Sequence, residues 1–361
     1  MKTLVYILLF TSICYSAFAQ SINQGQLYAE PAENIIDINL NKTLNYSWTI
    51  VDDFVLATNA ENFASFSNLA VYLTKQFYAE RSKARSIYTW IALNISYDQQ
   101  SILSAPDESS QTAHKVWINR VAVCEGFANL YHAMCKAAGI ESRIIKGYVK
   151  NFTDLDFKFP NHAWNSVKID GKWQLLDATW ASVNNEGSLL ANANLQKSYA
   201  RHKLDYFFLV SPNRMILTHL PEDPYWQLQS NYINMETFRK GESYIKTTLM
   251  NPISEIDDFE KLIAAYDKLD SLDRSISYLE RMESNEWNRA KEYGLGIAYY
   301  YKAQKILNTA SKGNRYQAVE KAKRYYKKSL DQLAILQEED YGYEITRDLA
   351  NSVAIRIESL Q

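Results

Sequence analysis

Cysteine is scarce in this chain, with three residues in 361. That is too few for a disulfide framework. Glycine (11) and proline (7) are sparse as well, which excludes collagen-like and low-complexity classes. Neither sign of charge dominates: 39 Lys and Arg stand against 41 Asp and Glu, a net charge of −2. No basic field exists to hold a phosphate backbone, so a nucleic-acid partner is not expected. No stretch reaches the ~18 uninterrupted apolar residues of a membrane-spanning helix. Aromatic residues, by contrast, are abundant, with 26 Tyr and 8 Trp. Hydrophobic residues make up 47% and charged residues 22%, the composition of a globular protein. The length suits two domains, or three.

The first segment reads as an address rather than as structure. Lys2 precedes an apolar run from Leu4 to Phe10, and small residues end in Ala17-Phe18-Ala19 before Gln20. A basic start, a short apolar centre and an A-x-A end make a secretory signal peptide over 1–19. The run is too short to span a bilayer. A soluble exported chain, periplasmic or secreted, is therefore expected. Cys14 leaves with the signal. It is not a lipid-anchor cysteine, because Ile13 stands where a small residue is needed.

Two regions come after it, 20–235 and 255–361. In the first, Val51 to Ala57 reads as a strand. A helical pattern runs from Asn62 to Ile95, with Ala84, Ile87, Tyr88, Ile91, Ala92 and Ile95 on one face. Asn94 to Ser110 reads as loop. A second helix is expected from Cys124 to Ala138, striped by Phe127, Leu130, Tyr131 and Met134 and closed by Gly139. Arg143 to Lys150 reads as a strand, and His162 to Asp177 as a hairpin turning at Asp170-Gly171, a pair suited to positive φ. Tyr206 to Val210 reads as a further short strand. The second region is helical, with Leu295, Ala298, Tyr299 and Ala303, then Tyr316, Ala318, Ala322, Tyr325 and Tyr326, at helical spacing. The spacing is like tetratricopeptide packing, without a clean second repeat at a period of about 34 residues. The basic run Lys321 to Lys328 reads as a solvated face.

Three residues carry candidate chemistry. Cys124 opens its helix, where unpaired N–H groups and the positive end of the dipole favour a thiolate over a thiol. Cys135 lies three turns on, at ~16 Å for 1.5 Å per residue. The two sulfurs can share neither a disulfide nor a metal ion, and Cys135 reads as buried filler. A two-residue turn pairs Lys168 with Trp173, and extending the register pairs Trp164 with Asp177 and His162 with Thr179. His162 and Asp177 then share one face, ~7–8 Å apart along a diagonal. An imidazole fixed by a carboxylate can shuttle the proton of a thiol that attacks an amide carbonyl. The N–H of Cys124 can donate to the oxyanion that forms. Joining Cys124 to that pair requires the fold.

At these residues the chain resembles the transglutaminase-like superfamily, a papain-like cysteine-enzyme fold, and in particular its bacterial and kyphoscoliosis-peptidase-like members. Arg85 to Ile91, continuing through Asn94-Ile95-Ser96-Tyr97-Asp98, resembles the leading helix. Val123-Cys124-Glu125-Gly126-Phe127-Ala128 resembles the nucleophile block. Asn161-His162-Ala163-Trp164-Asn165 and Leu176-Asp177-Ala178-Thr179-Trp180 resemble the histidine and aspartate blocks. A fifth stretch, Asp205 to Phe208 and His219 to Leu228, resembles the family's segment after the core. The match spans roughly 80–230. The resemblance implies Cys124 as nucleophile, His162 as general base and acid, and Asp177 as the orienting carboxylate. The expected fold is α+β, with helices on a small antiparallel sheet, the nucleophile at a helix start and His162 and Asp177 on strands. Trp90, Tyr97 and Trp164 are candidates for lining the site or assisting the oxyanion, against a plain core role. His132 and His219 read as structural. No cofactor or metal is implied. The expected function is an exported cysteine enzyme acting on peptide amide bonds, as protease, amidase or acyl transferase. Its substrate would be a peptide or protein, with cell-envelope components among the choices. Two alternatives stand beside it: a protein-binding module on the same fold, recruiting through the helical region, and an envelope-assembly protein with an incidental thiol.

Overall fold

The computed structural model describes residues 48–100, 108–150, 157–182, 201–251, 258–284, 289–340 and 343–360. The expected signal peptide at 1–19, with Cys14, lies outside them. The chain divides into two compact units. The first comprises residues up to Lys146 together with His162–Met215; the second comprises Gly147–Asn161 and Ile216–Gln361.

The first unit begins with α1 (Thr49–Leu56), α2 (Phe66–Lys75) and α3 (Glu80–Asn94). The region expected as a strand at Val51–Ala57 is thus a helix. Its buried face is Val51, Asp52 and Val55, and what holds it is remote in sequence. The Arg85 guanidinium donates to both Asp52 oxygens, at 3.0 and 2.8 Å, and Thr89 Oγ1 donates to Asp52 Oδ1 at 2.7 Å. The long helical pattern expected from Asn62 to Ile95 is broken at residues 76–79, and Ala79 adopts extended backbone before α3. A two-stranded parallel ribbon then forms from β1 (Ser96–Tyr97) and β2 (Val121–Ala122), with α4 (Ala113–Asn119) between them in sequence. The long central helix is α5 (Cys124–Ala137). It ends in a Schellman motif: Ile140 N–H donates to Cys135 O at 2.9 Å and Gly139 N–H to Lys136 O at 3.2 Å, with Gly139 at φ 73°. Leu69, Leu73, Ile87, Trp90, Phe127, Leu130, Tyr131 and Met134 are fully buried in one core between α2, α3 and α5. At roughly 1.5–3 kcal/mol for each large apolar side chain, burial on this scale is what holds the helices together.

The sheet comes next: β3 (Ser142–Val149), β4 (His162–Ile169) and β5 (Lys172–Leu176). The β4–β5 hairpin has the expected register, Ile169 opposite Lys172 and Lys168 opposite Trp173. Asp170 and Gly171 both take positive φ, 50° and 79°, as a two-residue turn of this hand requires. The ladder stops at Asn165 opposite Leu176. Asp177 is therefore not on a strand but caps the short helix α6 (Ala178–Ala181), because its side chain serves the free N–H groups of that turn better than a ladder position would. The strand expected at Tyr206–Val210 shrinks to one bridge, Leu175 with Val210. Residues 201–206 are helical, and Arg85 holds them by donating to Leu204 O at 3.0 Å and Asp205 Oδ1 at 2.7 Å. The unit closes with α7 (Pro212–Met215).

The second unit contains the end of β3, paired antiparallel with β6 (His219–Pro221), Gly147 opposite Pro221. The two regions read from the sequence meet between 235 and 255. The compact division falls earlier, because Tyr148 and Phe157 share a core with Ile216, Leu220, Ile233, Phe238 and Ile245. Those last residues belong partly to α8 (Met235–Lys240) and α9 (Glu242–Met250). The C-terminal part is α10 (Phe259–Asp267), α11 (Ser271–Arg281), α12 (Ala290–Asn308), α13 (Arg315–Leu333) and α14 (Tyr343–Ser359). Ile276, Leu295, Ala298 and Tyr299 form one apolar contact in this stack. Ala303, Ala322, Tyr326 and Val353 form another. Tyr316, expected in the stripe, is 79% exposed. Arg281 ties α11 to the stretch after β6 through a bidentate pair with Asp223, at 2.9 and 2.6 Å. No helix among the described residues is long and apolar enough to cross a membrane. The fold is α+β, with a small antiparallel sheet and a helical C-terminal region.

Candidate active site

Cys124 is the first residue of α5, directly after the extended Val123. Its side chain packs among Ala128, Ala163 and Ile144, at 5% exposure. Cys135 is fully buried on the same helix, and both thiols are free. Burial pushes the Cys135 thiol up to about 12, so it stays protonated and inert at neutral pH.

His162 opens β4 and Asp177 lies just past the end of β5. Their side chains meet with His162 Nε2 2.6 Å from Asp177 Oδ2, both groups buried. The other carboxylate oxygen, Oδ1, accepts the N–H groups of Thr179 (2.7 Å) and Trp180 (3.0 Å). Asp177 is thereby saturated and immobile, and its N–H is held by Phe207 O at 2.9 Å. The imidazole also interacts with the Cys124 thiol. Since Nε2 is committed to Asp177, Nδ1 is the ring nitrogen left for sulfur. Burial alone would lower the imidazole's affinity for its proton. The charge and hydrogen bond of Asp177, helped by Cys124, outweigh burial and raise it to about 10. At neutral pH the ring is an imidazolium set between the Asp177 carboxylate and the Cys124 sulfur.

Two indoles pack on the ring. Trp164 stacks on it at 6.0 Å and 23°, and Trp180 lies at 5.8 Å and 47°. Trp164 was a sequence candidate. Trp180 was not singled out, although its place three residues after a capping aspartate puts it on the first turn of α6. Trp90 and Tyr97 are elsewhere. Trp90 lies in the core against Trp117 and Arg120, and Tyr97 packs on Phe127. Asn165 is a further residue that sequence reasoning passed over. Its amide donates to Ala128 O on α5 at 3.1 Å and to Arg143 O on β3 at 3.3 Å, which fixes the spacing between the helix of Cys124 and the strand of His162. His132 is structural, 2.8 Å from Ser142 Oγ. His219 is buried in β6, its Nδ1 2.7 Å from Thr218 Oγ1.

A thiol at a helix start, an imidazole against it and a saturated carboxylate behind the imidazole are the parts of a cysteine nucleophile with its base. Compared with known proteins, residues 67–178 match the family model described as the transglutaminase-like superfamily. Over that segment the chain is similar to the transglutaminase-like superfamily. The matched residues enclose α5, the β4–β5 hairpin and Asp177. Mouse (Mus musculus) kyphoscoliosis peptidase is 30% identical over 195 residues, 52% of this chain and 28% of that protein. The human (Homo sapiens) protein of the same name is 29% identical over 204 residues, 55% of this chain and 29% of that protein. The chain thus spans less than a third of either relative. A solved structure of a TGase is 19% identical, covering 43% of this chain and 37% of that one, with a TM-score of 0.26.

Proposed function

We propose that this protein is a cysteine enzyme acting on peptide amide bonds, with Cys124 as nucleophile, His162 as proton shuttle and Asp177 as orienting carboxylate. The observation that carries the reading is the His162–Asp177 contact of 2.6 Å on an imidazole that also meets the Cys124 thiol. The name of the kyphoscoliosis peptidases supports a peptide bond as the target. His162 Nδ1 carries the proton it shares with the Cys124 sulfur. Sulfur adds to the substrate carbonyl carbon, and the carbonyl π pair moves to oxygen. When the tetrahedral species collapses, the C–N bond breaks and His162 gives its proton to the departing amine. A thioester remains on Cys124. Water or a second amine then adds to it, giving its proton to His162, and the restored thiol leaves. Which acceptor arrives separates protease or amidase from acyl transferase. The N-terminal 19 residues support export as the setting, and the helices from α10 onward suit recruitment of a protein substrate.

The test is thiol profiling with a peptide-like electrophile, wild type against Cys124→Ala, followed by mass analysis of the trapped acyl group. Labelling of Cys124 at neutral pH well above the rate of free cysteine is expected. If Cys124 reacts no faster than free cysteine, the enzyme reading is wrong, and a binding module or an envelope-assembly protein on this fold takes its place.

A further inference from the structure

Val123, the residue before the nucleophile, is tied at both of its peptide groups. Its carbonyl accepts the N–H groups of Gly126 (2.9 Å) and Phe127 (3.2 Å) and so points into α5. In a trans peptide the following N–H points the opposite way. The N–H of Cys124 is therefore aimed out of the helix start, as one of the first-turn donors that have no acceptor within the helix. On the other side, the N–H of Val123 donates to Gln111 Oε1 at 3.0 Å. Gln111 is buried, at 3% exposure. Its Nε2 donates to Ser110 Oγ at 2.8 Å, and its backbone carbonyl accepts from Asn129 Nδ2 at 2.9 Å. One short turn, Glu108–Gln111, is thereby fastened to α5 both before its first residue and one turn further along. Gly126 gives the room for this. A Cβ there would lie 2.6 Å from Gln111 Oε1, 2.6 Å from Ala122 Cβ and 2.8 Å from Val116 Cγ2.

We propose that Gln111 is a positioning residue: through Val123 it aims the Cys124 N–H at the oxyanion formed when sulfur adds to a carbonyl. The inference rests on Cys124 being the nucleophile. Gln111 touches no reacting atom, since its oxygen is spent on Val123. Its effect is confined to steps that generate an oxyanion. Attack on an ester carbonyl generates one: the S–C bond forms, the π pair goes to oxygen, and collapse expels the alkoxide. Displacement of iodide from iodoacetamide does not, because sulfur replaces iodide at a saturated carbon.

The two reagents therefore separate positioning from mere support. The probes are p-nitrophenyl acetate, followed as a nitrophenolate burst, and iodoacetamide, followed by mass. Wild type should give a burst that Cys124→Ala lacks. In Gln111→Leu the burst should slow at least ~10-fold while alkylation of Cys124 changes less than ~3-fold, since loss of an aimed oxyanion donor costs more than tenfold. Gln111→Glu keeps an acceptor oxygen for Val123 and should restore the burst to within ~3-fold of wild type. Where the Leu variant fails to fold, Gln111→Asn, whose acceptor stands one methylene short, makes the same comparison. An unchanged burst, or equal slowing with both reagents, overturns the role of Gln111 and leaves the nucleophile standing. A wild-type protein without a burst, or one whose burst survives Cys124→Ala, overturns the nucleophile and Gln111 together.

Discussion

Replacing Asp177 with Asn isolates the charge at the back of the site. Asn retains an oxygen for the N–H groups of Thr179 and Trp180, so the cap of α6 is kept. What changes is the atom facing His162 Nε2: an acceptor oxygen becomes an N–H donor. Nε2 must then be unprotonated, and the imidazole's remaining proton moves to Nδ1, the side of the thiol. The magnitude comes from the proton affinity of the ring. In the wild-type site it rises from 6.5 to about 10. At ~1.4 kcal/mol per pH unit, that span is on the order of 5 kcal/mol in favour of the folded, protonated state. The folded ring holds its proton more tightly than the unfolded one. Its contribution is therefore complete below about 6.5 and is lost as pH rises through about 10. In Asp177→Asn the main cause of the increase is gone, burial dominates, and the midpoint should fall to the ordinary value or below. The assay is an NMR titration of the imidazole Cε1–H signals, with His162→Gln identifying the resonance among the 5 histidines. Urea unfolding of both proteins from pH 6 to pH 10 accompanies it. The stability gap between wild type and variant should narrow across that range. A variant titrating near 10, or a wild-type ring titrating near 6.5, refutes the account of the pair.

The remaining predictions concern the support around the site. Cys135, fully buried and pushed up to about 12, should take no label in folded Cys124→Ala and should be labelled stoichiometrically once urea unfolds it; labelling at equal rates in both states would contradict its burial. Arg85→Met leaves Asp52 buried beside an apolar side chain, and the loss by urea titration should be ~3–5 kcal/mol. Adding Asp52→Asn to that variant should recover part of the loss, whereas full additivity would mean the two residues do not interact. Gly171→Ala, at φ 79° in the hairpin turn, should lower stability by ~1 kcal/mol in thermal melts without changing iodoacetamide reactivity of Cys124.

Sequence reading succeeded where the cause was local. The Asp170-Gly171 turn fixes the register of β4 on β5 because two positive-φ residues admit one loop geometry. Gly139 ends α5 for the same kind of reason. The His162–Asp177 contact was legible because both residues flank that one hairpin. It was read as two residues sharing a strand face. In fact Asp177 leaves the ladder and reaches His162 from a helix cap, which requires knowing that Thr179 and Trp180 offer their N–H groups to it.

The failures share a different cause. Val51 to Ala57 carries strand-like residues, and the helix there is held by the bonds of Asp52 to Arg85 and Thr89, 33 and 37 positions away. Tyr206 to Val210 looks extended, yet its start is held as helix by Arg85 through Leu204 and Asp205. Gln111 and Asn165 carry no periodic signal, because a polar residue that bonds a distant backbone group is indistinguishable in sequence from an exposed one. Each nevertheless joins elements: Gln111 to Val123, just before Cys124, and Asn165 from β4 to α5. The three residues proposed to carry the chemistry sit at ends, the start of α5, the start of β4 and the cap of α6, and an element's end is positioned by whatever its neighbours bond to. Asn165 links Ala128, one turn into α5, to β4 three residues beyond His162, and so helps fix the reach from sulfur to imidazole. Shortening Asn165 is expected to loosen α5 from β4 and so to shift Cys124 against His162 without altering any of the three side chains, which is why three residues legible in sequence do not by themselves specify a working site.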